Sequence, residues 1–214
     1  MDSATCLWWM AAEREPPVCT VSIDYGQRHA VELECAERLS RRAGINHHKI
    51  LRLDLKSIGG SPLVDQTLDT PHASAALQIQ TVVPLRNMLM VTLAAAYAET
   101  LAIDELYIAP VRDDFESYRD CRRVFYDSLE KSLSLGCTHD GSISLHTPFV
   151  DKWKTEVVEI GLLLGVPYEL THTCYEGRRP GCGICDACVE RIAAFKANGR
   201  RDPIEYEIDV SWPT

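Results

Sequence analysis

Four cysteines crowd into fifteen residues, Cys174-x7-Cys182-x2-Cys185-x2-Cys188, while the other five of the chain's nine are scattered. Four soft ligands at this spacing match the tetrahedral preference of Zn2+. Gly181 and Gly183 flank Cys182 and let the backbone turn tightly enough for amide groups to point at sulfur. Four thiolates fill the coordination shell and leave no position for water, so a zinc ion here is structural. Closely spaced thiolates also hold iron-sulfur clusters, and that alternative stays open at this point. The clustering, with an odd total of cysteines, fits a metal clip in the reducing cytoplasm better than a disulfide framework.

Around this clip, 214 residues suffice for one well-buried α/β core and a small appendage. With 46% hydrophobic and 25% charged residues, a chain-wide disordered or collagenous reading is excluded. The formal charge of -9 argues against a nucleic-acid coat or a binder of anionic membranes, since both need a positive field. Residues 1–12 look superficially like a secretion signal. Asp2 stands where such a signal carries Lys or Arg, and the apolar run breaks at Glu13 and Arg14.

The remaining sequence alternates helical and strand patterns. Residues 3–13 read as a helix with Ser3 as N-cap, and 18–23 as a β-branched strand. Residues 29–42 form an amphipathic helix with Val31, Cys35, Leu39 and Ala43 on one stripe. Residues 49–53 form a second strand. Glycines and prolines across 56–80 predict a long surface loop. Residues 87–101 are apolar almost all round and predict a buried helix. Strands follow at 106–109 and 143–145, with helices at 121–135 and 154–164, the last closed by Gly165 and Pro167. Residues 204–210 alternate like an edge strand, at a homodimer seam or over a pocket.

The fold class this implies is α/β, an open parallel sheet flanked by helices, with a small C-terminal four-cysteine segment. Three stretches are expected: a nucleotide-binding α/β domain over 1–170, a metal-binding segment and closing helix over 171–196, and a tail over 197–214. The chain opens on a helix, whereas a doubly wound sheet usually opens on a central strand.

Four further stretches and the cysteine cluster occur in order: Ile23-Asp24-Tyr25-Gly26-Gln27-Arg28-His29, Val83-Pro84-Leu85-Arg86-Asn87, Tyr118-Arg119-Asp120-Cys121-Arg122, Gly165-Val166-Pro167-Tyr168-Glu169-Leu170-Thr171, and then the cysteines. Together they resemble the QueC-type 7-cyano-7-deazaguanine synthases over roughly residues 1 to 196. That family belongs to the PP-loop ATP pyrophosphatases, with an adenine nucleotide alpha hydrolase-like sheet. Its first strand feeds a Ser-Gly-Gly-x-Asp-Ser loop that grips pyrophosphate. Met1-Asp2-Ser3 looks like the tail of that loop, whose glycines and preceding strand are absent from the sequence.

The resemblance implies ATP contacts at Met1, Asp2, Ser3, Ala4, Thr5, Cys6 and Leu7, and at Arg86, Asn87 and Lys154. Amides and the helix dipole favour phosphate at a helix start. Arg86 suits a bidentate phosphate contact, and Lys154 supplies a point charge for departing pyrophosphate, making these two the expected catalytic residues. Mg2+ would accompany the nucleotide. Asp24, Tyr25, Gln27 and Arg28 lie just past a strand's C-terminal end, where ligands of open α/β sheets bind. They join Tyr118, Asp120 and Arg122 as the expected substrate set; Tyr118 could stack on a planar base and Asp120 could bond a purine-like amidine edge. The simpler alternatives are a solvent-facing Arg86, a surface Lys154 and a solvated Arg28. Cys121 reads as a buried wall.

By resemblance, ATP and ammonia convert 7-carboxy-7-deazaguanine to its nitrile, in a cytoplasmic homodimer with no direct nucleic-acid or membrane partner. The chain departs from the family pattern at Arg119, at Pro110-Val111-Arg112, where Gly-Val-Asn is usual, and at Trp153, where a Ser is usual. These departures motivate a second reading, a ligase that joins the activated acid to another amine. A third is a catalytically inactive, zinc-stapled binding subunit.

Overall fold

A computed structural model describes residues 1–13, 19–72, 78–138 and 142–213. Val18 of the first expected strand and residues 73–77 of the expected loop lie outside the described residues. The chain divides into two compact units, Met1–Val83 with Lys154–Thr214, and Pro84–Trp153.

In the first unit, α1 (Asp2–Glu13) precedes β1 (Thr20–Asp24), α2 (Val31–Arg42) and β2 (His48–Arg52). Strands β1 and β2 pair in parallel from Thr20 opposite His48 to Asp24 opposite Arg52. A parallel pair needs a crossover, and α2 provides it. Glu32 and Glu34 in the first turn of α2 and Arg41 and Arg42 in the last complement its dipole. On the predicted stripe Cys35 and Leu39 are buried, while Val31 and Ala43 are only half-buried. Helix α5 (Lys154–Leu163) packs on α1 and on α6 (Asp186–Ala197). (The intervening α3 and α4 belong to the second unit.) Gly165, at φ +69°, ends α5 in the left-handed region, and the Val166 amide turns back to the Gly161 carbonyl at 2.9 Å. The core here joins Ala4, Leu39, Val158, Val166, Tyr168, Ala194 and Phe195.

The second unit holds α3 (Arg86–Thr100), β3 (Glu105–Tyr107), α4 (Arg123–Gly136) and β4 (Ser144–His146). Strands β3 and β4 are parallel, with Leu106 opposite Leu145. Val91, Tyr126, Leu129 and Leu145 form its core.

Four expectations change. Helix α1 already includes Asp2, so Ser3 sits inside the first turn and is not the N-cap. Helix α3 buries only Val91, Ala95 and Ala98, an i, i+4, i+7 stripe, while Met88 and Leu89 are 38% and 36% exposed. Apolar composition told nothing about which face meets a neighbour. The stretch 56–80 is not surface throughout, because Ser61, Leu63, Val64 and Thr70 are buried. Among the described residues, 204–210 form no strand, and a parallel bridge joins Tyr206 to Gly181. The metal-ligand loop offers only one backbone position for pairing, through Gly181 N to Glu205 O at 2.9 Å and Glu207 N to Gly181 O at 2.8 Å.

Candidate active site and metal centre

Helix α1 begins the first unit's candidate nucleotide element. Thr5 N donates to Met1 O at 3.1 Å, so the amides of residues 2 to 4 precede the first intrahelical donor and suit an anion. Ser3 is exposed, Met1, Asp2 and Leu7 are half-buried, and Asp2 Oδ1 is buried with no hydrogen-bond partner. That orphaned oxygen fits a hard cation such as Mg2+. Ala4, Thr5 and Cys6 point into the core at 4%, 0% and 4% exposure. Their side chains therefore set the helix in place, and burial pushes the Cys6 thiol up to about 12.

Lys154 starts α5 and is not a surface lysine. Its side chain is 11% exposed and Nζ is ion-paired with Glu190, which also accepts from Gln78 Nε2 at 3.0 Å. An incoming phosphate would compete with Glu190 for this ammonium.

The turn after β1 is tied internally. Gln27 is 4% exposed; its Oε1 accepts from Tyr25 N at 2.9 Å, and its Nε2 donates to Ile23 O at 3.3 Å and Glu32 Oε1 at 3.0 Å. The Gln27 amide thus holds the turn. Asp24 Oδ1 accepts from Gly26 N at 3.2 Å, and Tyr25 is buried. Arg28 is not solvated as the simpler alternative would have it. It donates to Thr70 Oγ1 at 2.8 Å and to Leu68 O at 2.6 Å and pairs with Glu176 at 3.5 Å, clamping the 61–72 stretch.

In the second unit Leu85, at φ +54°, introduces α3, and the Arg86 guanidinium lies 5.9 Å from the Tyr118 ring centroid. Asn87 N donates to Asp120 Oδ2 at 3.2 Å, and Asn87 Nδ2 donates to Asp120 O at 3.2 Å and Cys121 Sγ at 3.4 Å. Arg86, Asn87, Tyr118 and Asp120, distant in sequence, are thus brought into one cluster. Arg122 turns away to bond Phe115 O at 2.9 Å. Cys121 is buried, as a structural cysteine should be; burial, then Asp114 and Asp120, push its thiol up to about 12. Two departures from the family pattern meet here: the Arg112 guanidinium lies 4.7 Å over the Trp153 ring.

The sulfurs of Cys174, Cys182, Cys185 and Cys188 lie within 4.8 Å of one another and are all buried. Cys182 Sγ and Cys188 Sγ are 3.9 Å apart. A tetrahedral ion with bonds of ~2.3 Å separates its thiolates by ~3.8 Å, so this cage fits one metal ion. A cluster would interpose several iron and sulfide atoms. Cys182 N donates to Cys174 Sγ at 3.3 Å and Cys185 N to Cys182 Sγ at 3.4 Å, the amide-to-sulfur contacts that the glycines permit. Hydrogen bonds from Cys185 and Cys188 hold the Cys174 thiol low, while hydrogen bonds with Cys174 and Cys185, and then burial, hold the Cys188 thiol high. Four thiolates cannot coexist here without a cation.

The motifs missed the residues that tie the clip to the rest of the first unit. Arg191, fully buried, donates through Nε and Nη2 to Asp202 at 2.6 and 2.8 Å, through Nη1 to Thr171 Oγ1 at 2.6 Å, and through Nη2 to Tyr168 O at 3.1 Å. Asp202 also accepts from the Tyr206 hydroxyl at 2.6 Å. The available signal was Arg191 three residues after Cys188, on a helix otherwise rich in apolar residues.

A family model described as "Queuosine biosynthesis protein QueC" matches residues 1–199. A 7-cyano-7-deazaguanine synthase of Clostridium kluyveri is 39% identical, with 97% of this chain and 94% of that protein covered. A protein of the same name from Thermoplasma acidophilum is 37% identical, covering 97% and 88%. Another from Nostoc punctiforme is 36% identical, covering 96% and 95%. With a family match across nearly its whole length and relatives 36% to 39% identical over most of both chains, the chain belongs to the QueC family of queuosine biosynthesis proteins.

Proposed function

We propose that the chain is an ATP-dependent C–N ligase that converts 7-carboxy-7-deazaguanine and ammonia to 7-cyano-7-deazaguanine. The observation that carries this reading is the shared name of relatives 36% to 39% identical over nearly the whole chain. A carboxylate is a poor electrophile, because its charge repels nucleophiles and oxide leaves badly. Transfer of AMP from ATP to a carboxylate oxygen releases pyrophosphate and removes both defects. Ammonia then displaces AMP to give the amide. A second AMP transfer, to the amide oxygen, releases another pyrophosphate, and loss of two protons and AMP leaves the nitrile.

In this reading the amides of residues 2 to 4 and the Ser3 hydroxyl of the first unit receive the phosphates, and Lys154 of the same unit offsets the charge of departing pyrophosphate; Arg86 keeps the phosphate role that the family resemblance implies for it. Asn87 completes the proposed ATP contacts. Mg2+, when bound, would share that charge neutralisation, with Asp2 as its candidate ligand. Tyr118 and Asp120, in the second unit, suit contacts to the base, and Asp24 and Tyr25, in the first, keep the substrate role expected of them. The internal bonds of Gln27, Arg28 and Arg122 support shaping roles for them. Zn2+ in the four-cysteine cage would act structurally, and a reducing cytoplasm would keep the thiols available. A homodimer would cover apolar side chains such as Met88 and Leu89. No described helix is long and apolar enough to cross a membrane.

The test is incubation of purified, zinc-loaded protein with the acid, ATP and ammonium, followed by mass spectrometry. Nitrile with two AMP per product is expected. ATP-dependent coupling of the acid to some other amine, with no nitrile, would support the second reading, which the departures at Arg119, Pro110-Val111-Arg112 and Trp153 motivate. Absence of any pyrophosphate release would leave only a binding subunit.

A further inference from the structure

The Thr5 side chain, fully buried in the first turn of α1, meets the Tyr168 hydroxyl at 2.7 Å across 163 residues of sequence. Thr5 Oγ1 also faces Met1 O at 3.4 Å, an acceptor that can take only the threonine proton. Tyr168 is therefore the donor to Thr5. Burial, the largest influence, pushes the Tyr168 hydroxyl up to about 12, so it keeps this proton at neutral pH. The main chain of Tyr168 is held as firmly as its tip: its carbonyl accepts from Arg191 at 3.1 Å and from Thr171 Oγ1 at 2.7 Å.

Gly161 supports this arrangement from the third side. It lies inside α5, where glycine is less favourable than alanine. A Cβ there would sit 1.9 Å from the Tyr168 hydroxyl oxygen and 2.9 Å from Thr5 Oγ1. The helix gives up a side chain at the one place where the Thr5–Tyr168 contact passes.

We propose that Tyr168 is a positioning residue for ATP, its hydroxyl fixing Thr5 and so the depth and direction at which the first amides of α1 meet the pyrophosphate portion of the nucleotide. The inference rests on the proposed nucleotide role of α1. Tyr168 itself need touch no substrate. Its support runs from Asp202 through Arg191 and the Tyr168 backbone to Thr5, so the helix that carries Cys188 and the helix that starts the candidate ATP element are braced through one tyrosine.

The experiment measures ATP and AMP binding by calorimetry for the full chain and its Tyr168→Phe and Thr5→Val variants, each checked for native circular dichroism. AMP lacks the pyrophosphate, so a positioning role is read in the ratio of the two affinities. ATP binding is expected to weaken about fivefold in either variant, with AMP binding unchanged and the double variant no worse than either single one. Equal weakening of ATP and AMP would make the contact merely structural and overturn the proposal, as would wild-type ATP affinity in both variants. Should Tyr168→Phe fail to fold, the nearly isosteric Thr5→Val decides by the same ratio. A wild-type chain with no ATP affinity would overturn the nucleotide reading itself, an outcome distinct from unaffected variants.

Discussion

Replacing Arg191 by methionine orphans a carboxylate that has no route to water. Arg191 and Asp202 are both 0% exposed, and their two contacts are 2.6 and 2.8 Å. Removing one partner of a buried pair costs about 3–5 kcal/mol, because the remaining charge stays desolvated. Here Asp202 would retain the Tyr206 hydroxyl at 2.6 Å and the Ile204 amide at 3.2 Å, which places the loss near ~3 kcal/mol, the low end of that range. At 2–4 °C per kcal/mol for a chain of this size, the melting midpoint should fall by roughly 10 °C. Trp212 packs against the first unit's core and lies 6.4 Å from the Tyr206 ring, so tryptophan fluorescence during heating or in urea reports the event. The double variant Arg191→Met with Asp202→Leu removes both charges and should recover most of the loss. A single variant within ~1 kcal/mol of wild type, or a double variant no better than the single, would refute the orphaned-charge reasoning.

Three further outcomes are expected. Cys188→Ser should lose stoichiometric zinc by elemental analysis and lower the unfolding midpoint; in the parent, zinc affinity should fall as pH drops, because protons compete for the thiolates. Cys121, with its thiol near about 12, should hold only ~0.01% thiolate at pH 8 and resist iodoacetamide in the folded protein, while half-buried Cys137 reacts. Peptide mass mapping checks this, and labelling of Cys121 as fast as Cys137 would contradict the burial assigned to it. Gly183→Ala must place a Cβ 2.4 Å from Ile208 Cγ1 at φ +77°, where a left-handed non-glycine residue alone costs ~1–2 kcal/mol. Hydrogen exchange across residues 200–213 should rise, and unchanged protection there would show that the tail does not pack on the metal loop.

The elements were readable where periodicity and punctuation agreed. Cys35 and Leu39 on α2, and Gly165 closing α5, follow from local rules that need no partner. The reading failed on α3, because an apolar helix can be covered on one face only, and on residues 204–210, because alternation cannot say whether a strand partner exists. Among the candidate site residues, the four cysteines were legible because a metal cage needs a fixed ligand type at short spacing. Gln27 and Arg28 were legible as a location but not as a role, since their hydrogen-bond partners lie in the turn itself and across 61–72.

Sequence alone thus determined the α/β class, the four-cysteine cluster and the family, each carried by short local patterns along the chain. Tertiary structure decided which of those side chains face inward. Lys154 pairs with Glu190, Arg191 with Asp202, and Tyr168 with Thr5, contacts between groups 11 to 163 residues apart. Burial and long-range pairing set what such polar groups do, because a desolvated charge or hydroxyl must find a partner wherever the fold brings one, and no local pattern records where that is.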